Sequence, residues 1–336
     1  MSQRKLLMIS TDRKIFEEGS NVRARQVDYA KDWDEVHIVI FSKKDHREIT
    51  VSSNCWVYPT RSFSKYLYPF DAIKLGRFII AKRGITHITC QDASLTAMAG
   101  LALKNESHLP LEIQVHEDLG SPFYAHRVSN RIRKTLALKY LPQADSVRVV
   151  SERIRNYLVD KIKIDANKVT VKPIAIDVSW IESAPVTVDL HKKYPQFSKI
   201  VLMASRLEKE KNFELALHSW KGVIGHMADA GLIIVGEGSM EEKIKSLSAS
   251  LGVVQNVIVE KWADKTTLAS YYKTADLFLN TSLFEGYGMT LIEAKAAGLP
   301  VVSTDVGVAR ESGANIVDNE PGDVCRKIVQ ALNNNK

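Results

Sequence analysis

Short apolar segments separated by stretches of helical spacing recur along the whole chain, and this alternation restricts the fold more than any other feature. The segments are residues 5–10, 36–41, 85–90, 111–116 and 146–150, then 200–204, 232–235, 257–259, 277–280 and 301–304. Strands alternating with helices predict α/β architecture with parallel sheets, because a parallel crossover needs a connection of helix length. About ten strands are many for one open sheet, and the pattern restarts near Lys199. Two Rossmann-like β/α/β domains are therefore expected, residues 1–172 and 173–336, joined through residues 172–195, where three of the ten prolines fall. In such sheets ligands bind beyond the carboxyl ends of the strands, so two facing sheets would put a site in the cleft between them.

Composition narrows the class. The 336 residues are 45% hydrophobic, enough for two sizeable cores. No run of roughly 18 or more apolar residues occurs, and the first residues, MSQRKLLMIST, lack the apolar stretch of a signal peptide. A cytoplasmic location is expected. Cys55, Cys90 and Cys325 lie far apart with no C-x-x-C pair, so they predict buried free thiols rather than a disulfide framework or zinc site. Charge is uneven: residues 1–176 carry 29 Lys and Arg against 19 Asp and Glu, residues 177–336 carry 17 against 20. Much of the excess lies in residues 127–139 (RVSNRIRKTLALK), with Arg61, Lys65, Lys74, Arg77, Lys82 and Arg83 earlier and Tyr66, Tyr68, Phe70, Phe123 and Tyr124 interleaved. That pattern suits an anionic membrane surface, would also suit nucleic acid, and is equally the pattern of a solvated cationic face.

The densest chemistry lies in residues 275–311. Residues 276–282 read as a buried strand, residues 285–288 (EGYG) as a turn, and residues 289–297 as a helix stopped by Gly298 and Pro300. A glycine turn entering a helix leaves backbone N–H groups unpaired with the positive end of the dipole behind them, so Met289 and Thr290 are placed to hold a phosphate. Glu285 precedes that point and Glu293 follows it. Eight helical residues would separate the two carboxylates by roughly 12 Å, beyond the about 5–9.5 Å of a glycosidase pair. Read alone they are either solvated charges or two grips on one long, hydroxyl-rich, phosphorylated ligand.

Residues 285–293 (EGYGMTLIE), followed by residues 297–302 (AGLPVV) and 304–307 (TDVG), resemble the E-x7-E region of the retaining, GT-B-fold glycosyltransferases of family 4, the glycosyl transferases group 1. Residues 205–212 (SRLEKEKN), 231–238 (GLIIVGEG) and 144–152 (ADSVRVVSE) resemble further family segments, in the family's order. The resemblance implies a GT-B fold, with an N-terminal acceptor domain and a C-terminal domain binding a UDP- or GDP-sugar. It implies that Glu285, with Tyr287 beside it, meets the donor sugar, that Gly288, Met289 and Thr290 meet the diphosphate, and that Glu293 meets the ribose. Arg206 and Lys211 would neutralise the diphosphate, Arg206 by a two-toothed fork and Lys211 as a point charge.

In the first domain residues 18–21 (EGSN) precede a predicted helix at 22–30 and resemble the family's glycine loop, implying diphosphate contacts from Gly19 and Ser20 and placing Arg23 near an anionic group. His116 ends a predicted strand; alone it would be structural, and the resemblance places it over the donor sugar as a catalytic residue together with Glu285. Asp92 resembles an acceptor-cleft residue and could equally cap a helix starting at Ala93. Lys261 and Trp262 fall where the nucleobase would lie, although the family usually has Gly at the position of Lys261, and Trp262 could belong to the core. Ile174 and Ala175 replace the family's Asn-Gly, and Val308 stands where a second Gly is frequent. The chain ends earlier than the resemblance implies, so a helix crossing back onto the first domain would be short or absent and the domains weakly coupled. The polar end, residues 333–336, is expected to fray.

The implied reaction is retaining transfer of a sugar to a hydroxyl of a glycan or lipid-linked acceptor in polysaccharide or glycolipid synthesis, at the inner face of the membrane. Arg206 and Lys211 supply the charge a diphosphate needs, so neither a metal nor a cofactor is expected. No G-x-G-x-x-G occurs, against a dinucleotide dehydrogenase. A nucleotide-sugar epimerase of the same fold, a phosphorylase, a basic nucleic-acid-binding protein and a donor-binding subunit needing a partner are the rivals. The nucleic-acid reading leaves residues 285–293 unexplained.

Overall fold

The computed structural model describes residues 3–43 and 45–334, and by its contacts the chain divides into two compact units, residues 1–173 and 174–336. The N-terminal unit runs β1 (Lys5–Ser10), α1 (Asn21–Ala30), β2 (Glu35–Ile40), β3 (Ile49–Ser52), β4 (Cys55–Pro59), α2 (Tyr68–Arg83), β5 (His87–Cys90), α3 (Leu95–Ser107), β6 (Leu111–Val115), α4 (Val128–Tyr140), β7 (Ser146–Val149), α5 (Glu152–Asn156) and β8 (Val169–Val171). Its sheet has the order β3-β4-β2-β1-β5-β6-β7-β8, parallel except for the β3–β4 pair. Leu6 and Met8 point to the face covered by Val22 and Ala30 of α1, and Leu7 and Ile9 are as deeply buried on the other face, so β1 has no polar side. From β1 the chain builds outward to β2 and β4, then returns to the opposite flank at β5. The strand order therefore reverses between β1 and β5, which opens a crevice at their carboxyl ends.

The C-terminal unit runs α6 (Ser179–Glu182), α7 (Leu190–Lys193), β9 (Lys199–Ala204), α8 (Phe213–His226), β10 (Ala230–Val235), α9 (Glu241–Leu251), β11 (Val257–Glu260), α10 (Lys265–Thr274), β12 (Leu277–Asn280), α11 (Met289–Ala296), β13 (Val301–Thr304), β14 (Asn315–Val317) and α12 (Pro321–Asn334). The sheet order is β11-β10-β9-β12-β13-β14, so here the reversal lies between β9 and β12. Val201 and Met203 face a core with Phe213 and Trp220 of α8 and Ile328 of α12. Ile200, Leu202 and Ala204 face the other core, with Tyr271 and Tyr272 of α10 and Leu291 of α11. The period of two along β9 thus feeds both layers.

Four strands go beyond the ten read from the sequence. β3 and β4 form an antiparallel hairpin about Ser53 and Asn54, while β8 and β14 are three-residue strands at sheet edges, too short to show a period. The segment expected at 85–90 begins at His87, and His116 lies one residue past β6 rather than within the strand. The helix expected from Ala93 begins at Leu95. All three cysteines are buried and free. Asn333 and Asn334 belong to α12, and residues 335–336 of the tail expected to fray lie outside the described residues. Among the described residues no helix is long and apolar enough to cross a membrane.

Candidate active site

In the C-terminal unit the segments following β9 and β12 are laced together at the reversal point. The Thr281 hydroxyl donates to the Lys211 carbonyl at 2.9 Å, and the Leu283 N–H donates to the Glu210 carbonyl at 2.8 Å. This lacing brings the Lys211 ammonium into an ion pair with Glu285, the two side chains only 14% and 15% exposed. The Ser282 hydroxyl donates to the same Glu285 oxygen at 2.8 Å. Arg206 is far more open, at 71%, and holds Glu210 at 3.1 Å. Glu210 itself is largely buried, but with the guanidinium open to solvent the pair is screened and contributes only about 1 kcal/mol or less, so the guanidinium can turn to a better anion at little cost.

The turn carrying Glu285 is buttressed from behind. Gly307, in the loop after β13, has φ +50°, and a Cβ there would stand 2.2 Å from the Tyr287 carbonyl oxygen. That carbonyl accepts a hydrogen bond from the Val308 N–H at 2.8 Å. Gly288 then leads into α11, whose first turn has no side-chain cap. The amides of Met289 and Thr290 therefore belong to a helix start that relies on an external acceptor.

Glu293, on the next turn of α11, accepts a hydrogen bond from the Tyr272 hydroxyl at 2.9 Å. Burial pushes its pKa up, against the opposing pull of that hydrogen bond and of Lys265. Trp262 and Lys261 follow β11 and are exposed; with 52% of its surface open, Trp262 is not a core residue. The adjoining Glu260 accepts hydrogen bonds from the Tyr271 hydroxyl at 2.6 Å and from Lys193 at 2.7 Å, which fixes the root of that loop.

The N-terminal unit treats its expected residues differently. The Ser20 hydroxyl caps α1, accepting from the Arg23 N–H at 3.2 Å and donating to the Lys14 carbonyl at 2.6 Å, and the adjacent Gly19 is exposed. The Asp92 carboxylate accepts from the N–H and hydroxyl of Ser94, at 2.8 and 2.6 Å, and so holds the turn before α3. His116 and Asp92 line one cavity of about 900 Å³, whereas Gly19, Ser20 and Arg23 are not part of its wall. The His116 ring shares a hydrogen bond of 3.2 Å between Nε2 and Gln114 Oε1. The Gln114 amide nitrogen donates in turn to Thr89 at 2.9 Å, and the Thr89 hydroxyl donates to Glu112 at 3.0 Å. With Gln114 oriented this way, Nε2 carries the proton and Nδ1 keeps its lone pair. His116 is exposed at its surface, yet the protein packed around the ring partly desolvates it, and that, with the cations Arg148 and Arg25 adding to it, pushes its pKa down.

The profile described as Glycosyl transferases group 1 matches residues 190–335, and the profile described as Glycosyltransferase Family 4 matches residues 29–180. The chain belongs to glycosyltransferase family 4. Among family relatives, an uncharacterized glycosyltransferase of Methanocaldococcus jannaschii is 27% identical over 70% of this chain and 60% of its own length. The alpha-monoglucosyldiacylglycerol synthase of Streptococcus pneumoniae is 25% identical over 70% of this chain and 57% of its own. The chain thus spans less than two thirds of the length of these relatives. Among solved structures, Anabaena HepE in complex with UDP superposes with a TM-score of 0.73 at 16% identity, covering 99% of this chain and 91% of that one. The fold is accordingly GT-B. Within this family 4 chain, Tyr272, Thr281, Ser282 and Gln114 were not legible as site residues, since each acts through a contact distant in sequence or on a motif residue's far side.

Proposed function

We propose that this chain transfers a sugar from a nucleotide-diphospho-sugar to a hydroxyl of a glycan or lipid-linked acceptor, with retention of configuration and without a metal or cofactor. The observation that carries the reading is the secluded Lys211–Glu285 pair beside the uncapped start of α11. A diphosphate arriving there competes for Lys211 and frees the Glu285 carboxylate for sugar hydroxyls, so that sugar recognition becomes conditional on the leaving group being seated.

Breaking the C1–O bond builds positive charge on the sugar ring and negative charge on the diphosphate. Arg206, Lys211 and the Met289 and Thr290 amides are suited to stabilise the latter. Glu293 takes the ribose, Tyr287 flanks the sugar, and Lys261 and Trp262 border the base. His116, neutral at physiological pH, offers Nδ1 as an acceptor to a sugar hydroxyl, and Gly19, Ser20, Arg23 and Asp92 are assigned to the diphosphate and acceptor side. The acceptor hydroxyl attacks on the face the diphosphate leaves, and a phosphate oxygen takes its proton. The UDP in the HepE complex supports a uridine donor as the first choice, and the name of the pneumococcal relative supports a lipid acceptor. The basic N-terminal unit supports action at an anionic membrane surface, on the cytoplasmic side.

A panel of UDP- and GDP-sugars, read by thermal shift and slow hydrolysis, tests the assignment. One nucleotide series should raise the melting temperature in wild type but not in Arg206→Ala. Silence across both series contradicts the proposal, and turnover abolished by EDTA contradicts its metal independence.

A further inference from the structure

The cavity in the N-terminal unit has a chemistry that donor binding does not account for. It sits at the reversal point between β1 and β5, with Thr11, Gln91 and His116 from the strand ends, and it widens between the first turns of α2 and α3 and the exposed face of α4. At about 900 Å³ it lies near the top of the roughly 300–1,000 Å³ typical of small-molecule sites. Its walls are mostly hydrocarbon. Tyr66, Phe70, Leu95 and Ile132 line it while remaining 76%, 61%, 40% and 58% exposed, and Met98 and Leu136 lie among them. Large side chains left open along one groove mark a place where an apolar partner is missing.

The charges at the groove are unbalanced in effect. Its two acids are engaged within the fold: Asp92 by Ser94, and Glu117 by the Tyr124 hydroxyl and by Arg133 at 3.2 Å. Lys65 brings an exposed cation to the same wall, Arg133 stays open to solvent beside Glu117, and Arg13, also in the wall, is held by the Phe41 carbonyl at 2.9 Å and the Tyr68 hydroxyl at 3.1 Å. A hydrocarbon slot with a cationic rim complements an amphiphile carrying an anionic head.

We propose that this groove holds the hydrocarbon chain of a phosphate-bearing lipid acceptor, with the head phosphate at Lys65 and Arg133 and the accepting hydroxyl toward His116. The proposal rests on the transferase reading for the word acceptor and stands on the groove itself for the lipid. Each methylene that enters should multiply affinity about fourfold.

Alkyl phosphates below their micelle concentrations, titrated calorimetrically against the whole chain, provide the test. Dodecyl phosphate should bind at least tenfold more tightly than octyl phosphate, and inorganic phosphate should compete only at far higher concentration than either. Ile132→Asp should weaken dodecyl phosphate at least tenfold, while Phe78→Asp, an equally exposed apolar site on α2 outside the groove, should leave it within twofold; thermal melts check that both variants fold. Affinity independent of chain length, or equal losses in the two variants, overturns the groove proposal. The UDP- and GDP-sugar shifts, measured on the same samples, separate it from the transferase reading. A flat alkyl series beside an intact donor shift rejects the groove alone, and the converse result rejects the transferase reading alone.

Discussion

Glu293 keeps a carboxylate beside a buried tyrosine hydroxyl, and burial raises its pKa. A raised carboxyl pKa means that the folded chain holds this proton to a higher pH than the unfolded one does. The stability it contributes is therefore complete below the unfolded value of about 4.3 and is lost as pH rises through the folded value. Glu293→Gln is neutral throughout and still accepts from Tyr272. It should melt above wild type at pH 8, with the gap closing toward pH 4, while donor affinity falls about tenfold or more through loss of a charged hydrogen bond worth about 1.5–3 kcal/mol. A melting gap that does not change with pH would refute the raised pKa of Glu293. Lys211 and Glu285 allow a second test at this scale. In a double-mutant cycle of Lys211→Met and Glu285→Gln, the coupling in the empty protein should be about 0.5–3 kcal/mol, and saturating nucleotide diphosphate should shrink it because Lys211 changes partner. Coupling unchanged by the diphosphate would contradict that exchange.

Elements were legible where periodicity is long enough to be read. β1, β12 and β13 stand where short apolar runs of strand length put them, whereas β8 and β14 depend on a neighbouring strand edge that the sequence does not display. β4 was obscured because it ends in Pro59 and follows the polar turn of Ser53 and Asn54. Tyr272 reads from sequence as one more core aromatic of α10, and only packing against α11 reveals that its hydroxyl reaches Glu293. The loop after β13 acts as a strut for the Glu285 turn, and this too is testable. At Gly307→Ala the new Cβ meets the Tyr287 carbonyl, whereas at Gly313→Ala, with φ +78°, nothing lies within 4 Å. Both should lose about 1–2 kcal/mol to the left-handed backbone. Gly307→Ala should lose more stability and also donor affinity, by displacing residues 285–288. Equal melting temperatures and equal donor binding in the two variants would remove the strut from the account.

At the scale of the whole molecule, sequence and fold divide the site unequally. The candidate site of the C-terminal unit was legible because residues 285–293 compress a turn, a helix start and two acids into one window. The N-terminal half was not, because its groove is assembled from strand ends and from helix turns far apart in sequence, and the charge count alone left membrane, nucleic acid and bare solubility in competition. Residues 1–173 carry 29 basic against 19 acidic residues, and residues 174–336 carry 17 against 20, so the field that an anionic surface meets depends on which unit faces it. Each cation near anionic headgroups contributes about 1 kcal/mol, screened beyond about 8 Å at physiological salt. Vesicles with about one third phosphatidylglycerol should therefore bind the chain at low salt and release it as ionic strength rises, while phosphatidylcholine vesicles bind weakly throughout. Replacing the exposed Lys65 and Arg131 together with Ala removes about 2 kcal/mol, roughly thirtyfold in vesicle affinity, and should leave the nucleotide-sugar thermal shift in place. RNA binding of equal strength, lost in the same variant, would transfer the basic surface to the nucleic-acid reading. Vesicle binding indifferent to both salt and these two residues would leave the excess charge with solubility alone, since a surface attraction made of point charges must weaken with screening and with each charge removed.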